Sequence, residues 1–157
     1  LVRSPTNIEW QPTLKLAWKN RLAVLQPLTG RKIVDISGSP LEIILVLDVD
    51  TGLPVALRQA LRLELVLLDD EFKNWSHEEF EKNIVKECEG MGPLLRGDVS
   101  LTMRDGRAVV RELELGELVF TDNSSPSYVW FRIGARVVPG TFDGARIIEA
   151  ITEPFIV

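Results

Sequence analysis

Residues 116–138 read GELVFTDNSSPSYVWFRIGARVV, and the fold is decided by how this stretch is read. Along an extended chain Val129, Phe131, Ile133, Ala135 and Val137 fall on one side while Trp130, Arg132 and Arg136 fall on the other. That two-residue period belongs to a half-buried strand, predicted over residues 129–138. Ahead of it Thr121, Asp122, Asn123, Ser124, Ser125 and Pro126 form a polar run. Their short side chains bond their own backbone and favour turns, so the strand is entered from an exposed loop. A rigid strand that presents a polar loop is a frequent platform for binding.

The same alternation recurs along the chain. Leu14, Leu16 and Trp18 alternate with Lys15, Ala17 and Lys19, residues 42–49 are a near-continuous aliphatic run closed by Asp50-Thr51-Gly52, and Leu61, Leu63, Leu65 and Leu67 alternate before Asp69-Asp70-Glu71. Val99, Leu101 and Met103 alternate with Ser100, Thr102 and Arg104. Asp105-Gly106 then predicts a tight hairpin, because both residues tolerate positive φ, with a return strand over residues 107–115. A turn over residues 139–144 leads to a last strand over residues 146–157, broken near Pro154. One segment departs from this pattern. Ser76 and Glu79 make a capping box, Trp75 and Phe80 a hydrophobic staple, and Gly90 can terminate the last turn. They predict a short helix over about residues 76–89, with Phe80, Ile84 and Cys88 as its apolar stripe. Seven strands with turns between them and one inserted helix predict an all-β fold, an immunoglobulin-like antiparallel sandwich.

In such a sandwich, strands that alternate in direction gather the loops after the first, third and fifth strands at one end. That end is predicted to hold the long loop over residues 20–40, the helix and the polar loop over residues 122–126. The opposite end holds Asp50-Thr51-Gly52, Asp105-Gly106 and residues 139–144, all short turns. Long irregular loops in compact domains tend to be functional, which makes the first end the candidate site.

A chain of 157 residues with 45% hydrophobic and 26% charged residues suits one core, and a single domain over residues 1–157 is expected. The lack of an initiator methionine and the strand-like end Phe155-Ile156-Val157 suggest a fragment of a longer chain. A formal net charge of −5 argues against a uniformly basic nucleic-acid binder, although a local basic patch can coexist with an acidic total. One cysteine, Cys88, and one histidine, His77, cannot assemble a disulfide or a cysteine/histidine zinc site. No apolar run approaches the roughly 20 residues of a membrane span, so a soluble, intracellular protein is expected, with no membrane partner. Asp50-Thr51-Gly52 has the aspartic-protease sequence, but that chemistry needs two aspartates sharing a proton and the chain supplies one copy, so a β-turn is the better reading. Asp48, Asp50, Asp69, Asp70 and Glu71 lack calcium-loop spacing. No catalysis, cofactor or metal is expected.

Several motifs recur in one order. They are residues 14–22 (LKLAWKNRL) leading to Leu28-Thr29-Gly30, residues 75–87 (WSHEEFEKNIVKE), residues 90–98 (GMGPLLRGD), residues 116–125 (GELVFTDNSS), residues 131–137 (FRIGARV) and residues 149–155 (EAITEPF). Together they closely resemble the conserved region of the plant calmodulin-binding protein 60 family over most of the chain. The resemblance implies a nuclear transcriptional regulator of immune and salicylic-acid signalling, of which this chain would be the sandwich-like part of the DNA-binding region. Calmodulin targets are usually basic amphipathic helices, and the only helix predicted here is acidic and short, so calmodulin would bind outside this fragment. After Ser125 the family carries a run of arginine and lysine, where this chain reads Pro126-Ser127-Tyr128-Val129-Trp130.

The expected partner is double-stranded DNA. Lys19, Arg21, Arg31 and Lys32 would neutralise phosphates, while Asn20, Asn123, Ser124 and Ser125 would donate hydrogen bonds to backbone or base edges, with Arg132 behind the loop over residues 122–125. The alternative is a protein-interaction or self-associating sandwich that has lost DNA binding and uses Tyr128 and Trp130 as anchors.

Overall fold

The structure is a computed structural model that describes residues 13–22, 32–33, 35–48, 54–70, 76–85, 93–116 and 130–156. Among them are ten strands, β1 (Leu14–Trp18), β2 (Leu41–Leu47), β3 (Leu61–Asp69), β4 (Leu95–Gly97), β5 (Ser100–Met103), β6 (Arg107–Val110), β7 (Leu113–Leu115), β8 (Trp130–Val137), β9 (Ala150–Ile151) and β10 (Phe155–Ile156), and one helix, α1 (His77–Lys82).

The alternation that defines β8 places Phe131, Ile133 and Ala135 in the core and leaves Trp130 exposed, with Arg132 and Arg136 half-buried on the outer face. β3 runs antiparallel to it from Leu63↔Val137 to Asp69↔Phe131, and its Leu63, Leu65 and Leu67 face the same core. The larger sheet has the order β10-β8-β3-β5 with β9 also on β8, and the smaller has the order β1-β2-β6. This is the strand order of an immunoglobulin-like sandwich in which β5 joins the sheet of β3 and β8. From the smaller sheet Leu16, Leu41, Ile43, Leu45, Ala108 and Val110 close the core, each large aliphatic group stabilising the fold by roughly 1.5–3 kcal/mol.

The two sheets are tied along both sides. On one side β1 meets Ile148 in a parallel bridge, the Leu16 N–H donating to the Ile148 carbonyl (2.9 Å) and the Ile148 N–H to that of Leu14 (3.1 Å). On the other, the Asp105-Gly106 turn has the expected positive φ values of 53° and 77°. It does not close a two-stranded hairpin, however. Beyond Arg104 and Arg107, which bond each other, β5 pairs with β3 and β6 with β2, so the turn carries the chain from one sheet to the other. The predicted return strand is also two strands. Asp98 accepts the N–H groups of Arg111 (2.9 Å) and Glu112 (3.0 Å), breaks the strand there, and sends β7 to pair with β4, a strand the alternation does not reveal. The break near Pro154 occurs as expected. β9 and β10 are two pieces of one edge beside β8, and between them the buried Thr152 exchanges bonds with Ile133 through Oγ1 (2.9 Å) and its own N–H (3.0 Å).

The helix is shorter than predicted and lies elsewhere. Ser76 caps it by accepting the Glu79 N–H (3.2 Å), but the Glu79 carboxylate turns to Asn83 (3.2 Å), whose side chain also caps the Glu79 carbonyl (2.8 Å). The chain then straightens because the short β5 leaves the upper edge of β3 without a partner. The Asp69 N–H donates to Asn83 and the Val85 N–H to Leu67, both at 2.9 Å, satisfying that edge. Only Phe80 of the predicted stripe is on the helix, and Ile84 bridges Leu68. Trp75, Cys88 and Gly90 lie outside the described residues, as do Asp50 and Tyr128. The helix therefore rests on the outer face of the larger sheet rather than at the loop end.

Phe80 sits where a side chain at Gly134 would be. A Cβ there would come within 2.6 Å of the Phe80 ring and 2.8 Å of Leu68 Cδ1. Gly134→Val should destabilise the fold by about 1–3 kcal/mol, read as a lower urea midpoint. In a Phe80→Ala background, itself costing about 3 kcal/mol, the Gly134→Val penalty should shrink, and strict additivity would show that the two residues do not share that space.

Candidate nucleic-acid interface

The end of the sandwich beyond Trp18, Leu41 and Val110 is organised by one carboxylate. Asp35 accepts from Asn20 Nδ2 (2.8 Å), the Ser37 N–H (3.0 Å), Ser37 Oγ (2.9 Å) and the Ser39 N–H (2.7 Å). Asn20 Oδ1 in turn accepts the Glu42 N–H (2.8 Å), and Leu22 bridges Asp35. The start and the end of the long loop are thus clamped together. The Asn20 bond, followed by the donors from Ser39 and Ser37, holds the Asp35 carboxyl below its ordinary value against a smaller opposing effect of burial. The turn that results presents Ile36, 70% exposed, at its apex.

The predicted site residues are distributed around this clamp. Lys19 lies 3.6 Å from Glu42, which also accepts from Arg107 Nε at 2.5 Å. The Arg107 hydrogen bond, ahead of its charge and that of Lys19, lowers the Glu42 carboxyl, and Glu42 in turn raises Arg107. Arg21 is exposed and makes no ion pair among the described residues. Lys32 stands on the other flank, beside β7, with its ammonium 2.8 Å from Glu112. Arg132 donates through Nε to Asp70 (2.5 Å) and through a terminal nitrogen to the Thr152 carbonyl (3.1 Å). Thr152 lines a groove of about 570 Å³ whose other wall is formed by Lys15 to Arg21 of β1 and its extension. Lys19, Asn20 and Arg21 are therefore brought together with the segment that Arg132 anchors, while Lys32 is set apart from them. Arg31, Asn123, Ser124 and Ser125 lie outside the described residues.

Sequence reasoning missed the clamp. Its signal is Asp35-x-Ser37-x-Ser39, an aspartate followed by two small residues whose N–H groups can turn back onto it. It also missed that Lys19, Lys32 and Arg132 each face a carboxylate. Away from this end, His77 Nδ1 lies 2.6 Å from Glu149, whose other oxygen is 2.5 Å from Arg146. Among the described residues no group of three histidine, cysteine, aspartate or glutamate side chains is placed to hold a metal ion, and no helix is long and apolar enough to cross a membrane.

Two antiparallel sheets packed around one core, with one short helix on the outer face of the larger, define the chain as an all-β domain of the sandwich type. The family model described as calmodulin binding protein-like N-terminal domain matches residues 14–157, and the chain belongs to that family. It is 44% identical to Protein SAR DEFICIENT 1 of Arabidopsis thaliana over 93% of this chain and 32% of that protein. It is 40% identical to Calmodulin-binding protein 60 B of the same plant over 98% of this chain and 24% of that protein. It is 43% identical to Calmodulin-binding protein 60 C, also from Arabidopsis, over 92% of this chain and 23% of that protein. The chain thus spans between about a quarter and a third of the length of these relatives. No solved structure matches it.

A lowered carboxyl stabilises the fold above the unfolded-state pKa, and its contribution is lost as pH falls through the folded value. Stability should therefore decline as acid protonates Asp35 and Glu42. Asp35→Asn should lower stability at pH 7 and flatten the profile between about pH 5 and pH 2, measured as the urea midpoint at each pH. An unchanged acid limb would show that the clamp does not depend on the charge of Asp35.

Proposed function

We propose that this chain is the double-stranded DNA-binding domain of a plant nuclear regulator of transcription in immunity and salicylic-acid signalling. Calmodulin is bound by parts of the protein outside it. The carrying observation is that Lys19, Asn20 and Arg21 share one groove with the segment held by Arg132. Lys19, Asn20 and Arg21 thereby present basic and polar groups along one wall of a rigid groove, whose lining also includes Asp48, Glu149 and Glu153. Membership of the calmodulin binding protein-like family supports the same reading.

In this proposal Arg21 is the leading phosphate contact, since it is exposed and its side chain has no ion pair or hydrogen bond among the described residues. Lys19 and Lys32 add positive charge on either side of it, and Arg31, Asn123, Ser124 and Ser125, which lie outside the described residues, are assigned to the same contact. Asn20 braces the loop, because the atoms of its amide are already bonded to Asp35 and Glu42. Arg132 fixes the groove wall through the Thr152 carbonyl.

A second reading rests on a different observation. Ile36 and Trp130 are exposed at 70% and 42%, the two large hydrophobic side chains so exposed among the described residues, and aromatic anchors are typical of protein interfaces. Under that reading the domain docks a protein or a second copy of itself.

A mobility-shift titration across salt concentrations separates the two. Replacing Arg21 and Lys32 by alanine should weaken binding to every duplex and make the slope of log affinity against log salt shallower by about two, roughly 0.9 per lost phosphate contact. Unchanged affinity would remove both residues from the interface. No duplex binding by the native chain, together with a fall in self-association or partner capture in Trp130→Ala, would replace the DNA reading with the protein-docking one.

A further inference from the structure

The described cations of this acidic chain are balanced unevenly. Lys15, Lys19, Lys32, Arg107, Arg132, Arg136 and Arg146 each have a carboxylate partner. Arg21, Arg58, Arg62, Lys82, Arg96, Arg104 and Arg111 are exposed, and their side chains have no ion pair or hydrogen bond among the described residues. Three of them, Arg58, Arg62 and Arg104, belong to one region. Arg62 pairs across the β3–β5 ladder with Thr102, and Arg104 follows Thr102 by two residues, so both arginines stand on the outer face at diagonal positions, roughly 7–8 Å apart at their Cα atoms. Arg58 occupies the bend three residues before β3. Ser100 and Thr102, both exposed, add hydroxyls to the same face.

Helix α1 covers the outer face over Leu68 and Gly134 but leaves this corner open. The nearest carboxylate along the outer row, Glu64, is taken by Arg136 at 2.5 Å, and Asp105 in the following turn is the other acidic group close by in sequence. Like charges at neighbouring cross-strand positions destabilise a sheet, so a trio of unbalanced arginines costs folding free energy that an external anion can offset. Planar guanidinium groups interleaved with serine and threonine hydroxyls suit phosphate oxygens, which accept from both donor types.

We propose that Arg58, Arg62 and Arg104, with Ser100 and Thr102, form a second contact with the phosphate backbone of duplex DNA. The proposal rests on the DNA-binding reading above and adds to it a surface at the other end of the strands. Arg62 is separated from the clamped loop end by the length of β3, about 25 Å at the usual rise per residue. One turn of the double helix is about 34–36 Å, so a bound duplex is long enough to meet both surfaces.

The test compares the native chain with Arg62→Glu/Arg104→Glu, and with Arg62→Gln/Arg104→Gln should charge reversal prevent folding. Fluorescence anisotropy is read on a duplex and on poly-glutamate over a range of salt. The expected result is about tenfold or greater loss of affinity for duplexes of any sequence, with the salt slope shallower by about two. If the native chain binds duplex and both variants bind it with the same affinity and slope, this surface is overturned and the loop-end reading stands. If the native chain binds no duplex at low salt, both fall together. Loss of poly-glutamate binding with duplex affinity unchanged would overturn the proposal and assign the patch to an acidic protein partner.

Discussion

The pairing of β3 with β8 is the constraint from which the rest of the structure is built. It runs unbroken from Leu63↔Val137 to Asp69↔Phe131, and it buries one face of both strands in the core. The same pairing fixes the outer face. It aligns Glu64 with Arg136 and Leu68 with Arg132, and it presents Gly134 as the gap into which Phe80 of the helix descends. A slip of one residue would turn the leucines outward and the arginines inward, so register and core are specified by the same side chains.

From that register follows the distribution of charge. Arg136 is close enough to bond both Glu64 and Glu81, tying the helix to the sheet, and Arg132 ties Asp70 to the edge segment at Thr152. Both arginines are half-buried, so desolvation offsets much of the attraction and the main effect of these pairs is to hold segments in place rather than to drive folding. They also decide which cations are available to a partner. Lys19 and Lys32 each carry a nearby carboxylate, whereas the side chains of Arg21, Lys82, Arg96, Arg111 and the Arg58, Arg62 and Arg104 trio carry none among the described residues. A molecule with a formal charge of −5 can in this way keep local groups of unbalanced cations.

Much of this was legible in the chain itself. Strict alternation announced β1, β3, β5 and β8, and the Asp105-Gly106 pair announced its turn with both residues at positive φ. Alternation reports which way side chains point but not which sheet receives a strand, which is why the crossing from β5 to β6 was hidden. The helix was overestimated for a related reason. Residues 83–85 are compatible with a helical stripe, and they leave it only because β3 has an edge to be completed there. At the loop end the basic residues were visible, but their carboxylate partners lie far away in sequence and had no local signature. The three arginines of the β3–β5 corner were overlooked because they meet only after the strands pair.

In the proposed mode of binding, the two ends of the sandwich, and not its helix-covered face, meet the phosphate backbone of a duplex. Titrating the isotope-labelled chain with a short duplex and following each backbone amide by NMR tests this directly. Shifts concentrated at residues 19–21 and 35–37 and at Arg62, Thr102 and Arg104, fading as salt is raised, are expected. Shifts confined to the helix and residues 139–149, or shifts indifferent to salt, would contradict it.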